Sequence, residues 1–374
     1  MLHELSNTPR DYAWGSTTLL AALEGRSATG APEAEVWYGD HGGDPADLGD
    51  GRTLDALTGG TLPYLLKLLA ADAPLSIQVH PTRAQAQEGY AREDALAADD
   101  PARNYRDDNH KPELIVALSD RFEALCGLRD PEATRRIVAG LGSSAGVERL
   151  RTLLDGADDP LRAVLRWTLA EATPEEIDDV ISAVAEGAAS TGDGTLGLVA
   201  RIAERNPGDP GVVVALLMNR VVLSRGEAVF LRAGLLHAYV GGLGVEIMAA
   251  SDNVLRGGLT PKHIDVAELL AVVDTVAGDV PVIREERDAV VQEYPVPVPD
   301  FALRRVRLAG EIDLEVRGPA IVLATAGSVS VSGRDAVPHR VRVGAAVYAT
   351  PDEGRILLTG EGEAFVAEPG SPRG

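Results

Sequence analysis

Between Pro74 and Pro81 the chain reads Pro-Leu-Ser-Ile-Gln-Val-His-Pro. Side chains of an extended segment leave on alternate faces, so Ser76, Gln78 and His80 share one side while Leu75, Ile77 and Val79 take the other. A polar trio therefore leaves one face of an otherwise apolar strand. A second block, Asn109-His110-Lys111-Pro112-Glu113, follows. Pro112 disfavours helix for the residue before it. If this segment is extended too, Lys111 and Glu113 leave on the same face. Amide oxygen, imidazole nitrogen and carboxylate oxygen form an acceptable ligand set for a divalent ion of borderline softness such as zinc. Taken alone, either block also reads as a solvated strand edge paired with water or backbone.

At 374 residues the chain is too long for one ordinary core, and two or three domains are expected. No apolar run is long enough to span a bilayer and no signal-like segment opens the chain, which points to a soluble, cytoplasmic protein. The single cysteine, Cys126, excludes an internal disulfide framework and suits a reducing compartment. A net charge of -22 argues against nucleic acid or an anionic membrane as partner. Against that acidity the basic residues are nearly all Arg, and the only lysines are Lys67, Lys111 and Lys262. A compact, rotatable ammonium suits a phosphate or a changing hydrogen bond, roles that Arg's planar fork fills poorly.

Residues 1–125 read mostly as strands and loops, with Pro32–Gly39 as a short strand and Trp14 and Trp37 as core or rim packing. Pro63–Ala70 is apolar except for Lys67, which either snorkels to the surface or is held for a purpose. Residues 126–211 change character. Thr173-Pro174-Glu175-Glu176 is a helix start with Thr as N-cap and Glu at the third helical position, and Ile177, Val180, Ile181 and Val184 repeat at helical spacing. Asp159-Pro160 opens another helix with Leu161, Val164 and Leu165 inward. Strands are expected to resume over 212–223. From Gly226 to His237 the spacing is G-x5-R-x-G-x2-H: two glycines permit tight turns and His237 projects from the strand that follows. Gly244–Asn253 alternates as a strand showing Glu246 on its polar face. The glycine-rich loop after it carries Arg256 and Lys262, with Asp252 just ahead, as either a structural ion pair or an anion site. Thr260 is placed as the cap of a helix from Pro261 with Ile264, Ala267 and Leu270 on its apolar face. After a Pro-rich linker at 294–299, short strands are expected at 301–308, 312–316, 320–324, 341–349, 355–358 and 363–367.

These motifs carry a family resemblance. PYLLKLL, PLSIQVHP, NYRDDNHKPEL, FEALCGLR, AGLLHAY and SDNVLRGGLTPKHIDV, in that order, resemble the class I mannose-6-phosphate isomerases of the cupin superfamily. The likeness extends over most of the chain and is strongest in 63–129 and 226–270. Arg232 stands where the cupin motif often has Pro, and Val36 and Tyr38 where Leu and Met are expected; neither departure touches a ligand position.

The resemblance implies a mainly β bicupin, two double-stranded β-helix barrels with a helical insert. The catalytic barrel would comprise 1–125 and 212–275, the insert 126–211, and a barrel without metal 276–374. It implies one zinc ion per chain on Gln78, His80, Glu113 and His237, and Arg256 as principal catalytic arginine. Lys111, Glu246 and Asp252 would belong to the reacting end of the cavity. Ser76 and Lys262 would receive a phosphate, with Lys67 and His110 nearby. The implied reaction interconverts mannose 6-phosphate and fructose 6-phosphate through a cis-enediol, in a monomer or weak homo-oligomer whose partner is the sugar phosphate. A sugar-binding bicupin without activity and an iron-dependent oxygenase are the alternatives. An oxygenase keeps open positions on a redox metal, and Gln78 as a fourth ligand argues against it.

Overall fold

A computed structural model describes residues 1–97 and 100–371. Residues 98, 99 and 372–374, which fall inside the expected units 1–125 and 276–374, lie outside the described residues. The chain is mainly β, in two antiparallel sheets, with a block of helices between residues 131 and 216.

The first sheet is built on the long strand His237–Ala249. Its first half pairs with Gln78 and with Glu123–Cys126, and its second half with Tyr64–Ala71 and Glu113–Ala117. The register shifts between Tyr239 and Gly241, where the strand passes from one set of neighbours to the other. Tyr64–Ala71 is buried at every position, which a strand covered on both faces requires. Tyr64, Leu66, Leu68 and Ala70 pack into a core shared with the second sheet, while Lys67 and Leu69 line a cavity on the other face. A lysine on a strand buried on both sides is thus not a snorkelling residue.

The segment 74–81 is less regular than its alternation suggests. Only Gln78–Val79 is strand. Ile77 and Val79 pack into the helical block as expected, but Leu75 turns to the cavity side beside Tyr239. A two-residue strand does not enforce the period through the turn before it.

In the helical block the expected start at Thr173 is present: Pro174–Thr191 carries a full capping box between Thr173 and Glu176. Asp159 caps Pro160–Arg166, and Leu161, Val164 and Leu165 are buried. Strands do not resume at 212. Gly211–Leu216 is a helix buried at all six positions, and the strand begins at Met218. A continuous apolar run has no periodicity to separate buried helix from buried strand, and packing overrides the β preference of Val212–Val214. The helix expected from Pro261 begins later, as Val266–Val272, capped by Asp265 and burying Leu269, Leu270 and Val272, while Ala267 is exposed. Thr260 instead accepts from Lys262 N.

From residue 301 onward the described residues form five strands where six are expected. Ala302–Glu315 and Arg355–Glu368 run on through the breaks expected at 309–311 and 359–362, Ala320–Ser332 runs past its expected end at 324, and the strand expected at 341–349 is split into Pro338–Val341 and Ala346–Ala349. Gly310 and Gly360 face each other across the ladder, both at φ 129°, so these glycines bend paired strands rather than end them. Two strands cross the expected boundaries: Leu2–Ser6 pairs with Ala346–Ala349 of the second sheet, and Val282–Ile283 pairs with Ala228–Leu231 of the first. Leu5, Tyr38, Leu66, Ile247, Phe301, Ile321 and Phe365 share one core between the sheets.

Candidate active site

The cavity opens on the first sheet's inner face. Glu35, Lys67, Gln78, Glu113, His237, Tyr239 and Glu246 reach it from strands, and Ser76 and Lys111 from the segments that lead into strands; it encloses about 100 Å³. His237 faces Gln78 across one ladder, and Glu246 faces Lys67 across another. Gly226 and Gly234, at φ 84° and 79°, make the turns that deliver His237.

His80, Glu113 and His237 are buried and bring ligand atoms within 4.8 Å of one another. Each imidazole is oriented by a backbone carbonyl: His80 Nδ1 lies 2.7 Å from Asn253 O, and His237 Nδ1 lies 3.0 Å from Leu235 O. With Nδ1–H so donated, each Nε2 lone pair turns toward the carboxylate between them. His80 Nε2 stands 3.2 Å from Glu113 Oε1, and His237 Nε2 stands 3.3 Å from Glu113 Oε2. Despite that proximity the buried His80 Nε2 has no partner in hydrogen-bond geometry. A buried, orphaned nitrogen aimed at a carboxylate and a second imidazole fits a divalent cation. Burial lowers the His80 pKa to about 4, so the ring is neutral, as a metal ligand must be. Gln78 Nε2 donates to Ser76 Oγ at 3.0 Å, which leaves the amide oxygen available beside the cluster.

Around this centre three buried carboxylates meet two lysines. Lys111 Nζ lies 2.8 Å from Glu113 Oε1, and Lys67 Nζ lies 3.6 Å from both Glu35 and Glu246. Burial alone would lower the Lys67 pKa, but Glu35, Glu246 and Glu113 outweigh it and hold the ammonium charged. Glu246 goes the other way: burial, then repulsion from Glu113 and Glu35, raises it to about 7 against the pull of Lys67 and Lys111. Tyr239 OH donates to Glu246 at 2.7 Å.

Arg256, whose backbone is paired with Gln78, lines a neighbouring vestibule of about 330 Å³ together with Arg106, Asp252 and Lys262. The ion pair weighed for Asp252 and Arg256 does not form. Asp252 lies 3.1 Å from His41 Nε2, a hydrogen bond that lowers its pKa. Among the described residues neither Arg256 nor Lys262 has a carboxylate within 4.0 Å. Burial and Arg106 lower the Arg256 pKa, and burial and Arg256 lower that of Lys262. Arg256 and Lys262 thus share the vestibule wall without a carboxylate between them among the described residues.

His110 does not join these groups. Adjacent to Lys111 on an extended segment, it leaves on the opposite side, and its Nε2 lies 2.8 Å from Asp300. Sequence reasoning did not single out Glu35, Tyr239 or His41. Tyr239 had a signal, lying two residues after His237 and so on the same face. Trp37, read as packing, also serves the site: its Nε1 donates to Glu35 at 2.6 Å and its ring lies 4.9 Å beneath Lys67 Nζ.

Fold and site define a mainly β protein in which two buried imidazoles and a carboxylate could hold a metal ion, next to a vestibule lined by Arg106, Arg256 and Lys262. Residues 2–131 match the family model for the phosphomannose isomerase type I catalytic domain. Mannose-6-phosphate isomerase of Escherichia coli is 33% identical over 96% of this chain and 98% of its own, and the human enzyme 29% identical over 88% of each. Two solved structures cover 99% of both chains at 30% identity: a lysine-to-alanine mutant of phosphomannose isomerase from Salmonella typhimurium, with TM-score 0.89, and a mannose 6-phosphate isomerase bound with zinc and yttrium, with TM-score 0.88. The chain belongs to the type I phosphomannose isomerase family, a family of zinc-dependent mannose-6-phosphate isomerases. Among the described residues no helix is long and apolar enough to cross a membrane.

Proposed function

We propose that the chain interconverts mannose 6-phosphate and fructose 6-phosphate in this cavity, with Gln78, His80, Glu113 and His237 holding one zinc ion. The architecture that suits this reading is a bicupin. One barrel, 1–125 with 212–275, presents the polar cavity; the helices of 126–211 cover its outer side; and 276–374 forms a second barrel. The second barrel has an aliphatic core that includes Val306, Val322, Val329, Val331, Val347 and Leu358. The acidic balance fits a cytoplasmic monomer or weak homo-oligomer that binds neither nucleic acid nor membrane.

Bound zinc supplies Lewis-acid stabilisation of the charge that develops on the sugar's O1 and O2. The side chains do the rest. Arg256 donates charge-assisted hydrogen bonds to the same oxygens. Lys262 and Ser76 take the phosphate, whose binding energy, remote from the reacting carbons, orients the open chain. Glu246 carries the proton: its carboxylate takes the C2 proton, leaving the cis-enediolate, and returns it to C1. The hydroxyl proton on O2 passes to O1, so the carbonyl moves from C1 to C2. A carboxyl raised to about 7 is matched to that two-way transfer. Asp252 is less suited, since His41 holds its pKa down. Lys111 sits against Glu113 and fixes that ligand's charge.

One observation carries the proposal: His80, Glu113 and His237, far apart in sequence, converge within 4.8 Å beside lysines. The test is to incubate the protein with mannose 6-phosphate, with and without a chelator, and follow the ketose. Conversion that stops on chelation and returns with zinc supports the assignment. Conversion that survives removal of the metal, or no conversion at all, overturns it.

A further inference from the structure

One buried carboxylate outside the cavity holds both ligand-bearing segments. Asp300 precedes Phe301, which is fully buried in the core between the sheets, and is itself 6% exposed. Its Oδ1 accepts from Arg83 at 3.1 Å and its Oδ2 from His110 at 2.8 Å. Arg83 lies three residues after His80, and His110 three residues before Glu113. The carboxylate therefore ties the chain leaving one ligand to the chain approaching another.

Residues 80–82 and 110–112 are neither helix nor strand. Beyond Gln78–Val79 the first is irregular until Thr82 caps the helix Arg83–Arg92. The second becomes strand only at Glu113. On that segment His110 and Lys111 leave on opposite sides, so fixing the His110 ring outside fixes Lys111 and Glu113 facing in.

We propose that Asp300 is a positioning residue, supplied by the C-terminal unit, that sets the separation of His80 and Glu113 and the aim of Lys111. The second sheet thereby contributes to the active site without contributing a residue to the cavity. This rests on the assignment of His80 and Glu113 as zinc ligands. Charge-assisted hydrogen bonds are short and directional, and groups that support metal ligands typically change affinity or activity by about 10–100-fold when lost.

The test uses the full chain loaded with zinc and reads two quantities: the zinc dissociation constant, by competition with a chromophoric chelator, and kcat and KM for mannose 6-phosphate. Asp300→Ala is expected to weaken zinc about tenfold and lower kcat about tenfold with KM little changed. Asp300→Ala combined with His110→Ala is expected to lose no more than Asp300→Ala alone, because both remove one contact. Zinc affinity and kcat within about twofold of the parent, or losses in the double variant that simply add, overturn the proposal. If Asp300→Ala does not fold, Asp300→Asn, which keeps the shape, and Arg83→Ala, at a half-exposed side chain, decide by the same readouts. Weaker zinc binding in both supports the role and unchanged binding in both refutes it. A parent that binds zinc yet forms no ketose overturns the proposed reaction, and the zinc measurements then decide on Asp300 alone.

Discussion

Replacing Lys262 by alanine tests the vestibule as a phosphate receptor. Lys262 shares the vestibule with Arg256 and has no carboxylate partner within 4.0 Å among the described residues, so its removal breaks no internal ion pair. A hydrogen bond to a charged group contributes about 1.5–3 kcal/mol. The residue is exposed and solvent screens its charge, which takes the low end of that range, about 1.5 kcal/mol. At about 1.4 kcal/mol per factor of ten, KM for mannose 6-phosphate should rise about tenfold. The phosphate is remote from the reacting carbons, so the loss should fall mainly on KM, with a smaller fall in kcat from looser orientation of the open chain. Steady-state kinetics at low and moderate salt provide the measurement, with unphosphorylated mannose as control. Added salt should raise KM more for the parent than for the variant, because screening weakens the contact the variant lacks. An unchanged KM, or an equal loss on mannose without its phosphate, would refute the assignment.

Lys67→Met leaves Glu35 and Glu246 buried without their shared cation and should cost about 3–5 kcal/mol in denaturant unfolding, partly recovered by adding Glu35→Gln; a loss under about 1 kcal/mol would contradict the triad. Glu246→Gln should lower kcat by about 10²–10⁴-fold while the protein still binds zinc. Protonation destroys the base, so in the parent kcat should fall as pH drops through the Glu246 pKa. That limb should lie at or below about 7, because a cation bound nearby favours the carboxylate, and Glu246→Gln should abolish it. Thr173→Ala removes the helix cap and should cost about 1 kcal/mol of stability with kcat and KM unaltered, as suits a helix remote from the cavity.

The site was legible where local pattern and spacing carry the information. Alternation placed Gln78 and His80 together, and Lys111 with Glu113; two glycines marked the turns before His237; and the lysines marked the cavity and its vestibule. The helix from Pro174 was readable because its cap, proline and apolar spacing agree. What was not legible depends on contacts distant in sequence. The pairing of His41 with Asp252 joins loops 211 residues apart. Alternation along the extended segment turns His110 away from Lys111, but its partner Asp300, 190 residues further on, was not legible. The helix at Gly211–Leu216 was hidden by its uniform burial, and Gly310 and Gly360 looked like ends because a bend and a break use the same residue.

The most direct measurement is an anomalous-scattering map of the zinc-loaded crystalline protein, recorded at the zinc absorption edge. The account predicts a single site bonded by Gln78 Oε1, His80 Nε2, a Glu113 carboxylate oxygen and His237 Nε2 at about 2.0–2.2 Å. Zinc bound elsewhere, or a site that omits His80, Glu113 or His237, would contradict it.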